Sequence, residues 1–486
     1  MKRVVWALLL LAGCNLGPDY KRPSFSLPTA FRATADSAAQ AWPAQEWWRG
    51  FGSPELNELI ARARLYNNDL LAAAARVLQA DAQVRVAGAP LLPSLNASAN
   101  PTYQRIGRTS GSNGRSSVIL DPATGQTLTS SGASGSRYTD FRTYRGDLTI
   151  SYEADFWGRN RALAESAQAA LLSTRFDQEV VAQTVITSVA NTYFAAVSYQ
   201  DRLRVAEQNL QAAVQILQAY RARLEAGTAT ALDVSQQEAL VAGERAALPG
   251  LRNQFQQEAI ALGILVGVPP EQLTVAGGSL EKVSLPAVAP GLPSELLARR
   301  PDVAEAEANL VAQNGNVRAA RAAFFPTVDL TASQGLQAAA LSALTGPGTL
   351  ITQVSAAITQ VIFDNGLRRG QLDEAKGRYL ELVADYRRAV LQAFTDVEQN
   401  LTGFNLLGEQ EARQREAVTV AQRSAAIARA QLAAGTIDII TSLNTQATLF
   451  NDLDGLYQVR LARFQALVNL YKALGGGWSL PAEGPN

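Results

Sequence analysis

A stretch of this sequence without any proline or glycine runs from Arg159 to Ala226. Because these two residue types most disfavour a helix interior, the stretch predicts one helical rod of about 65 residues and roughly 100 Å. The end of this rod carries apolar side chains at alternating spacings of three and four, which is typical of a coiled-coil seam. An ordinary helical bundle would show the same stripe, but a rod of this length favours an elongated architecture. The seam residues are Leu203, Ala206, Leu210, Ala213, Leu217, Tyr220 and Leu224.

The chain contains two copies of one pattern, and each copy includes such a rod. Each half reads as helix, proline, strand, loop, strand, very long helix, Gly-Thr turn and helix. The second rod carries smaller seam residues, which let helices approach more closely: Val418, Ala421, Ala425, Ala428 and Leu432. Three pairs of short segments mark the two copies: Leu91–Leu95 and Phe324–Val328, Phe156–Arg159 and Phe363–Gly366, and Leu224–Thr228 and Leu432–Thr436.

The repeat gives a domain organisation, with a Pro/Gly-rich linker between the halves. Strands are predicted near 95–105, 141–156, 327–336 and 350–363, and the helical turns near 226–233 and 434–441. Pro249 and Gly250 interrupt the helix after the first turn, where we expect a kink. The predicted boundaries are 1–13 for a signal peptide, 14–54 for an N-terminal extension, 55–266 for the first repeat, 267–294 for the linker, 295–474 for the second repeat and 475–486 for the tail.

The segment Tyr144–Phe156 alternates apolar residues at even positions with polar residues at odd positions. This is the pattern and length of a membrane barrel strand, although a half-buried soluble sheet would give the same alternation. Four strands cannot close a barrel, and open sheet edges are not tolerated in lipid, so several chains would have to pool their strands. The polar residues expected to line a hydrated lumen are Arg145, Asp147, Glu153 and Asp155.

Composition argues against most chemistry. The chain has no His and a single Cys, so it lacks the commonest general base, the commonest metal ligand and a disulfide framework. Lys+Arg and Asp+Glu are both 43, and this balance disfavours nucleic acid as a partner. We therefore expect no catalytic site, no metal site and no cofactor. Catalysis by carboxylates alone stays a minor alternative.

The N-terminus resembles a bacterial lipoprotein signal. Lys2 and Arg3 precede an apolar run, Val4–Ala12, that is too short to span a bilayer. The run ends in Leu-Ala-Gly before Cys14, the pattern in which the thiol is lipidated and the Cys becomes the mature N-terminus. Asn15 follows, and in the lipoprotein pattern a residue other than Asp there favours transport to the outer membrane. The alternative is a Cys of no consequence within the signal region.

The motifs together resemble one family, the TolC-like outer-membrane factors, in the lipoprotein branch that serves resistance-nodulation-division (RND) efflux pumps. The resemblance covers essentially the whole chain, and the order of its motifs on a duplicated sequence makes it specific. The motifs are Trp47–Leu56, Arg299–Val303, Phe324–Pro326, Phe363–Gly366 and Leu474–Trp478.

The resemblance implies a mainly α-helical fold with a membrane β-barrel portion. Three copies would each give four strands to one barrel of twelve strands, continued into the periplasm by a helical tunnel. It also implies a periplasmic adaptor and an inner-membrane RND pump as partners. The chain would then be a passive exit duct for small molecules such as drugs. It would do no bond chemistry.

In this family the Gly-Thr turns lie at the periplasmic tip, where acidic side chains narrow the entrance. Three symmetry copies of one carboxylate would attract cations, whereas the alternative is that the Asp residues only cap helices. The family's second-repeat acidic positions are here Thr441 and Asn444, so Ile437, Ile439 or Thr441 could instead form a less charged gate. The candidate gate residues are Asp438, Thr441, Asn444, Ile437 and Asp233.

The turns themselves are candidates for docking the adaptor, since exposed turn backbone with small side chains suits such a contact. The alternative is a plain glycine C-cap that needs no partner. The docking candidates are Gly227, Thr228, Gly435 and Thr436.

Three other functions compete with the efflux duct. A type I secretion duct belongs to the same class, but the Cys14 and Trp47–Trp48 features favour the efflux branch. A structural coiled-coil lipoprotein would explain the rods and the anchor, yet it leaves the alternating strand Tyr144–Phe156 unexplained. A periplasmic carboxylate enzyme is disfavoured by the absence of His and by the duplication.

Overall fold

The computed structural model describes residues 17, 20–24, 44–107, 118–120, 127–129, 138–288 and 293–478. Cys14 and the signal region lie outside these residues. The helices are α1 (Pro54–Tyr66), α2 (Asn68–Gly88), α3 (Arg159–Glu225), α4 (Ala231–Val266), α5 (Pro293–Arg299), α6 (Pro301–Ala322), α7 (Leu367–Ala433) and α8 (Ile439–Ala473). The strands are β1 (Ser94–Gly107), β2 (Val118–Leu120), β3 (Thr127–Thr129), β4 (Tyr138–Glu153), β5 (Thr327–Ala338) and β6 (Leu350–Thr359).

The chain divides into two units. The sheet unit comprises Met1–Pro18, Arg85–Glu165 and Gly315–Ala375, and the helical unit comprises Asp19–Val84, Ser166–Asn314 and Lys376–Asn486. The predicted fold class, mainly helical with a small strand portion and an internal repeat, is confirmed.

The sheet unit contains a four-stranded antiparallel sheet in the order β1-β4-β5-β6. Its register aligns one apolar face across all four strands, because Leu95 pairs with Ile150, Ile150 with Ala332 and Ala332 with Val354. The other face is polar and small, as where Asn96 pairs with Thr149. β2 and β3 form a separate two-stranded sheet inside the segment expected to be a plain loop.

The burial of this sheet is inverted relative to that of a soluble protein. On β4 the apolar side chains of Leu148 and Ile150 are 54% and 48% exposed, whereas the polar side chains that alternate with them, Asp147 and Thr149, are partly covered. The same apolar face exposes Val354 and other large side chains on β6. A soluble sheet buries its apolar face, so this arrangement fits a sheet whose apolar face meets lipid.

The two helical hairpins, α3–α4 and α7–α8, match residue for residue. α3 and α7 both have 67 residues. Three glycines with positive φ recur 208 positions apart: Gly158 and Gly366 before the long helices, Gly227 and Gly435 at the turns, and Gly267 and Gly475 after the returning helices. A constant offset of 208 residues therefore relates the hairpins, and each backbone position in one has an equivalent in the other.

Pro249 does not interrupt its helix, which corrects one expectation. α4 runs unbroken from Ala231 to Val266 with Pro249 inside it. Proline removes one backbone donor, but a helix held by tertiary packing tolerates that loss. Leu248, immediately before the proline, is buried and supplies such packing.

The Trp-rich motif near the N-terminus forms the core of the helical unit. Trp47 stacks on Tyr471 with ring centroids 4.9 Å apart, and Phe51 lies 5.0 Å from Phe194. Among the described residues, one helix, α3, has a segment apolar enough to cross a bilayer; most of that segment is buried inside the chain. α3 also contributes buried side chains to this core, among them Val185, Val189 and Phe194.

Glu55 and Arg300, which belong to two of the family motifs, bind the linker and the second repeat by hydrogen bonds. Glu55 accepts hydrogen bonds from the backbone amides of Ala276 at 2.6 Å and Gly277 at 2.9 Å, so it clamps the linker between the repeats. Arg300, which is nearly buried, donates to the carbonyl oxygen of Ala473 at 3.2 Å and to Asp396 at 2.9 Å. The sequence motifs Trp47–Leu56 and Arg299–Val303 therefore have structural roles: they pack the core and hold neighbouring segments by hydrogen bonds.

Candidate functional site at the hairpin tips and the polar sheet face

Both hairpin tips end in the same backbone motif. Gly227 and Gly435 adopt left-handed φ values of 72° and 73°. The next residue in each case, Thr228 or Thr436, donates its N–H to a carbonyl five residues earlier, at 2.8 and 2.9 Å. This is a Schellman arrangement, and glycine suits it because a Cβ is disfavoured at positive φ. The Thr hydroxyls donate to the same carbonyls, both at 3.1 Å.

The helices that follow the turns, α4 and α8, both begin with a capped N-terminus, but the capping residue is a threonine in one and an aspartate in the other. In the first hairpin Thr230 is the N-cap: its Oγ1 accepts from the amide of Asp233 at 3.2 Å, and Asp233 accepts from the Thr230 amide at 2.8 Å. In the second hairpin Asp438 is the N-cap, and it accepts from the amide of Thr441 at 2.7 Å. By the 208-residue offset, Thr230 is equivalent to Asp438, and Asp233 to Thr441. The acid and the hydroxyl have exchanged places.

These caps also keep the acids ionised. Backbone N–H donation holds the pKa of Asp233 and of Asp438 below the usual range, and the threonine hydroxyls act in the same direction. Both carboxylates carry a full negative charge at neutral pH. Capping and charge at the tip are therefore compatible roles of one side chain.

The candidate gate residues differ in exposure. Asp438, Thr441 and Asn444 are exposed and lie three residues apart, on one side of the start of α8. Ile437 is partly buried, and Ile439 is 4% exposed, because both pack into the apolar cluster beneath the turns. The expectation that Ile439 could serve as an apolar gate is therefore wrong for this chain.

That apolar cluster joins the two tips to each other. Arg223, in the last turn of α3, donates from Nη2 to the carbonyl oxygens of Leu432 at 3.2 Å and Ala433 at 3.3 Å. These carbonyls lie at the C-terminus of α7, where positive charge is favoured. The guanidinium also lies 5.8 Å from the ring centroid of Tyr220. Members of the cluster come from all four hairpin helices: Ala213, Leu217, Tyr220, Val234, Val241, Leu432 and Ile439.

On the polar face of the sheet, Arg145 and Asp147 form an ion pair. Arg145 Nε lies 2.9 Å from Asp147 Oδ1, and Thr149 donates to the same carboxylate at 3.1 Å. Gly335 on β5 faces this pair, and a Cβ there would lie 2.4 Å from the Gly146 carbonyl oxygen and 2.6 Å from the Asp147 Cβ. The face is polar and charge-balanced at this level.

Of the remaining residues expected on that face, one is placed differently. Glu153 is the last residue of β4 and lies 3.7 Å from Arg159. Asp155 lies beyond the strand, and its carboxylate accepts from the backbone amide of Arg161 at 2.8 Å. Asp155 thus satisfies an unpaired N–H in the first turn of α3, and its expected position on the strand is wrong.

A cavity of about 340 Å³ lies in the helical unit between α6 and α7. Its acidic lining includes Asp302, Glu305 and Asp385, together with the amides of Asn309 and Gln392. Burial raises the pKa of Glu305 to about 7, and the negative charges of Asp177 and Asp302 add to the effect. Among the residues that the structure describes, no three His, Cys, Asp or Glu side chains lie close enough together to hold a metal ion, and the carboxylates of this cavity are no exception.

Sequence reasoning missed two interactions. Arg223 could have been suspected, because a basic residue in the last turn before a glycine turn suits a helix C-terminus. Glu411 on α7 is 2% exposed and lies 2.7 Å from Arg415, 2.9 Å from Arg463 and 3.7 Å from Arg460. Arg415 is its neighbour at i,i+4 on the same helix, but Arg460 and Arg463 lie on α8, and no spacing within one segment reveals those two partners.

Comparison with known proteins gives a consistent picture. The family described as "Outer membrane efflux protein" matches residues 59–268 and 292–476. The pyoverdine export outer membrane protein OpmQ of Pseudomonas aeruginosa is 38% identical over 481 residues, covering 99% of this chain and 98% of OpmQ. The probable efflux pump outer membrane protein TtgC of Pseudomonas putida is 32% identical over 477 residues, covering 96% of this chain and 94% of TtgC.

A solved structure shares the fold. The open state of the Neisseria gonorrhoeae MtrE outer membrane channel superposes with a TM-score of 0.83 at 27% sequence identity, over 96% of this chain and 98% of that one.

Proposed function

The chain belongs to the outer membrane efflux protein family, and from this premise we propose that it is the exit duct of a tripartite RND-type pump. Its place in the outer membrane and its function as an efflux channel follow from that membership. The duct would pass small molecules from the periplasm to the exterior without consuming energy. Names of relatives support small-molecule cargo, since OpmQ is named for pyoverdine export and TtgC for an efflux pump.

The observation that carries the proposal is the inverted sheet. Its apolar face is exposed at Leu148, Ile150 and Val354, and its polar face bears the Arg145–Asp147 pair. A sheet with lipid outside and water inside needs this distribution, whereas a coiled-coil tether would not.

The open edges of this sheet support a homotrimer. Among the described residues, β1 and β6 each pair on one side only, and unpaired strand edges are too costly in lipid. Three copies would pool twelve strands into one closed barrel. The partners of the trimer would be a periplasmic adaptor and an inner-membrane RND pump.

Lipidation at Cys14 would add an anchor to the barrel. Cys14 is the single cysteine of the chain, and it ends the signal-like run Leu11–Gly13. One acyl chain holds a protein weakly, but two or three hold it firmly. The anchor would fix the N-terminal extension at the membrane surface.

The hairpin tips would serve both docking and gating. Gly227, Thr228, Gly435 and Thr436 are exposed, and their side chains are small or already bonded to their own helix. Such turns present backbone to an adaptor without rearrangement. Nearby, Asp438, Thr441 and Asn444 of three copies would border the entrance, with Asp233 in the neighbouring turns. The polar residues Arg145, Asp147 and Glu153 would line the lumen of the barrel.

Planar-bilayer recording of the purified protein, with its native mass measured on the same sample, tests this function. The proposal predicts a trimer that inserts and conducts with a preference for cations. A monomer, or a trimer that never conducts, would contradict it. The detergent-solubilised wild-type chain is the material, and an equal volume of detergent buffer is the control.

A further inference from the structure

A cluster of charged and aromatic side chains lies on strands β1 and β4, on the same face of the sheet as the exposed Leu148 and Ile150. Side chains two residues apart share one face of a strand, so the even positions of β4 continue this face on the N-terminal side of Leu148. The odd positions of β1 share it, because Leu95 pairs with Ile150 and the register is unbroken from there. The members of this rim cluster are Tyr103, Arg105, Tyr138, Asp140 and Arg142.

The two arginines of the rim cluster have different partners. Arg105 forms a two-point ion pair with Asp140, with Nε 2.7 Å from Oδ1 and Nη2 3.0 Å from Oδ2. The guanidinium of Arg142 lies 5.8 Å from the ring centroid of Tyr103, and it forms no ion pair with any residue that the structure describes. All five side chains are exposed. With two arginines and one aspartate, the cluster has an excess of positive charge.

The rim cluster lies at the end of the sheet where the strands are connected by loops. At the opposite end, β1 begins at Ser94 after helix α2, and β4 ends at Glu153 before helix α3. β5 and β6 follow the same rule, since α6 precedes Thr327 and α7 follows Thr359. In an outer-membrane duct whose helices are periplasmic, the end that carries the rim cluster is therefore the exterior end.

The position of Arg142 along β4 matches the thickness of a membrane. Tyr152 and Arg142 are ten positions apart on one face of the strand. Ten residues rise by about 33 Å, or about 25 Å along the membrane normal at the usual barrel tilt of about 40°. The apolar band of a membrane barrel has this height, so a band that begins at Tyr152 ends at the level of Arg142. β5 ends opposite Tyr144, which places the rim cluster just beyond the four-stranded part of the sheet.

We propose that the rim cluster binds the phosphate head group of an acylated, anionic lipid in the outer leaflet, with Arg142 as the principal phosphate ligand. The proposal rests on the outer-membrane barrel described above and names a ligand of its outer face. A guanidinium suits this ligand because it donates two parallel hydrogen bonds to phosphate oxygens. Arg142 is free of a carboxylate among the described residues, whereas Asp140 already occupies Arg105.

The surroundings of Arg142 favour a lipid over a free phosphate ion. The exposed apolar face at Leu148 and Ile150 continues directly into the rim cluster, so one lipid contacts both surfaces. The tyrosines Tyr103 and Tyr138 border the arginines, and tyrosine is enriched where a membrane meets water. A free ion would contact the arginines alone and would gain nothing from the apolar face.

Native mass spectrometry of the detergent-solubilised protein, titrated with diphosphoryl lipid A, tests the proposal by counting bound lipid. We expect Arg142→Gln to bind lipid A about tenfold more weakly than the wild type, because hydrogen bonds between charged groups are strong. Arg413→Gln removes an exposed arginine of the helical unit and should leave the affinity unchanged. Phosphatidylethanolamine, whose head group is zwitterionic, should bind equally to the wild type and to Arg142→Gln.

Inorganic phosphate distinguishes a lipid ligand from a free ion. Added at the concentration of the lipid, it should displace little lipid A, because it makes no contact with the apolar face. Complete displacement under this condition would overturn the assignment to a lipid.

The native mass and the conductance of the same samples separate the remaining failures. A conducting trimer that does not bind lipid A, or whose affinity is the same in Arg142→Gln, would overturn the lipid site and leave the exit duct standing. An equal loss of affinity in Arg413→Gln would also overturn the site, since it would show a nonspecific effect of charge. A monomer that does not conduct would overturn the duct, and the lipid site with it.

Discussion

Thr230 and Asp438 occupy equivalent positions in the two hairpins, three residues after a left-handed glycine, and each caps the helix that follows. The residue three positions later, whose backbone amide bonds the cap side chain, is Asp233 in the first repeat and Thr441 in the second. The acid and the threonine have therefore exchanged positions between the repeats. The two tips therefore have the same backbone but place their carboxylates one helical turn apart. This difference allows charge and capping at the tip to be separated by mutation.

Asp438→Asn should keep the cap and remove the charge, because Asn caps helices about as well as Asp. We expect weaker cation preference in bilayer recordings, with thermal stability unchanged. Asp438→Ala should lose both the cap and the charge, so it should also lower thermal stability. Unchanged reversal potentials in both variants would exclude an acidic ring at this position.

Arg223→Ala should loosen the joined tips, because the guanidinium bonds the last carbonyls of α7. Hydrogen bonds to a partly exposed charged group contribute roughly 1 kcal/mol, so we expect about fivefold faster proteolysis at residues 434–438. Limited proteolysis of the folded protein measures this rate. Arg221→Ala is the matched control, since Arg221 pairs with the exposed Glu238 and not, among the described residues, with the end of α7. Equal rates for the two variants would contradict the role of Arg223.

Glu411→Ala should be strongly destabilising, since it strands arginines around a site that is 2% exposed. Removing one partner of a buried ion pair costs about 3–5 kcal/mol of unfolding free energy. Denaturant unfolding measures the loss. Glu416→Ala removes an exposed pair with Arg413 and should change stability by less than about 1 kcal/mol. Similar losses in the two variants would show that the Glu411 cluster is not structural.

Glu305 should make stability depend on pH near neutrality. Burial raises its pKa to about 7, so the folded state keeps a proton that the unfolded state releases near pH 4.5. Stability should therefore rise as pH falls from 8 to 5. Glu305→Gln should flatten this dependence and stabilise the protein at pH 8 by on the order of 1–3 kcal/mol. Thermal unfolding at both pH values measures the effect, with exposed Glu409→Gln as control. A variant that keeps the wild-type slope would contradict it.

The turns, the long helix α3 and strand β4 were predictable, because each is signalled by local residue types or by a regular repeat in the sequence. Glycines that require positive φ mark the turns at Gly227 and Gly435, and the proline-free stretch gives α3 almost to the residue. The strand alternation identified β4, but the predicted strand continued past Glu153 to Phe156, because polarity does not distinguish a last strand residue from a helix cap such as Asp155. The helix interruption predicted at Pro249 was wrong for a related reason: helix propensity does not include the tertiary packing that stabilises α4.

The tertiary partners of the candidate site were not predictable. Arg223 reaches carbonyls more than 200 positions away, and Ile439 is buried by residues from the other hairpin. These contacts depend on how the four hairpin helices pack together, and local sequence patterns do not reveal that packing.

Thiol accessibility of two neighbouring residues on β4 tests the central claim, that the polar face of the sheet lines a water-filled lumen. Thr149→Cys and Ile150→Cys lie on opposite faces of one strand, and Cys14 is the only native cysteine. In membrane-inserted protein, a charged, water-soluble thiol reagent should modify Thr149→Cys and lower its conductance, while Ile150→Cys stays unmodified. Modification of Ile150→Cys with Thr149→Cys protected would mean that the sheet is not the wall of a channel.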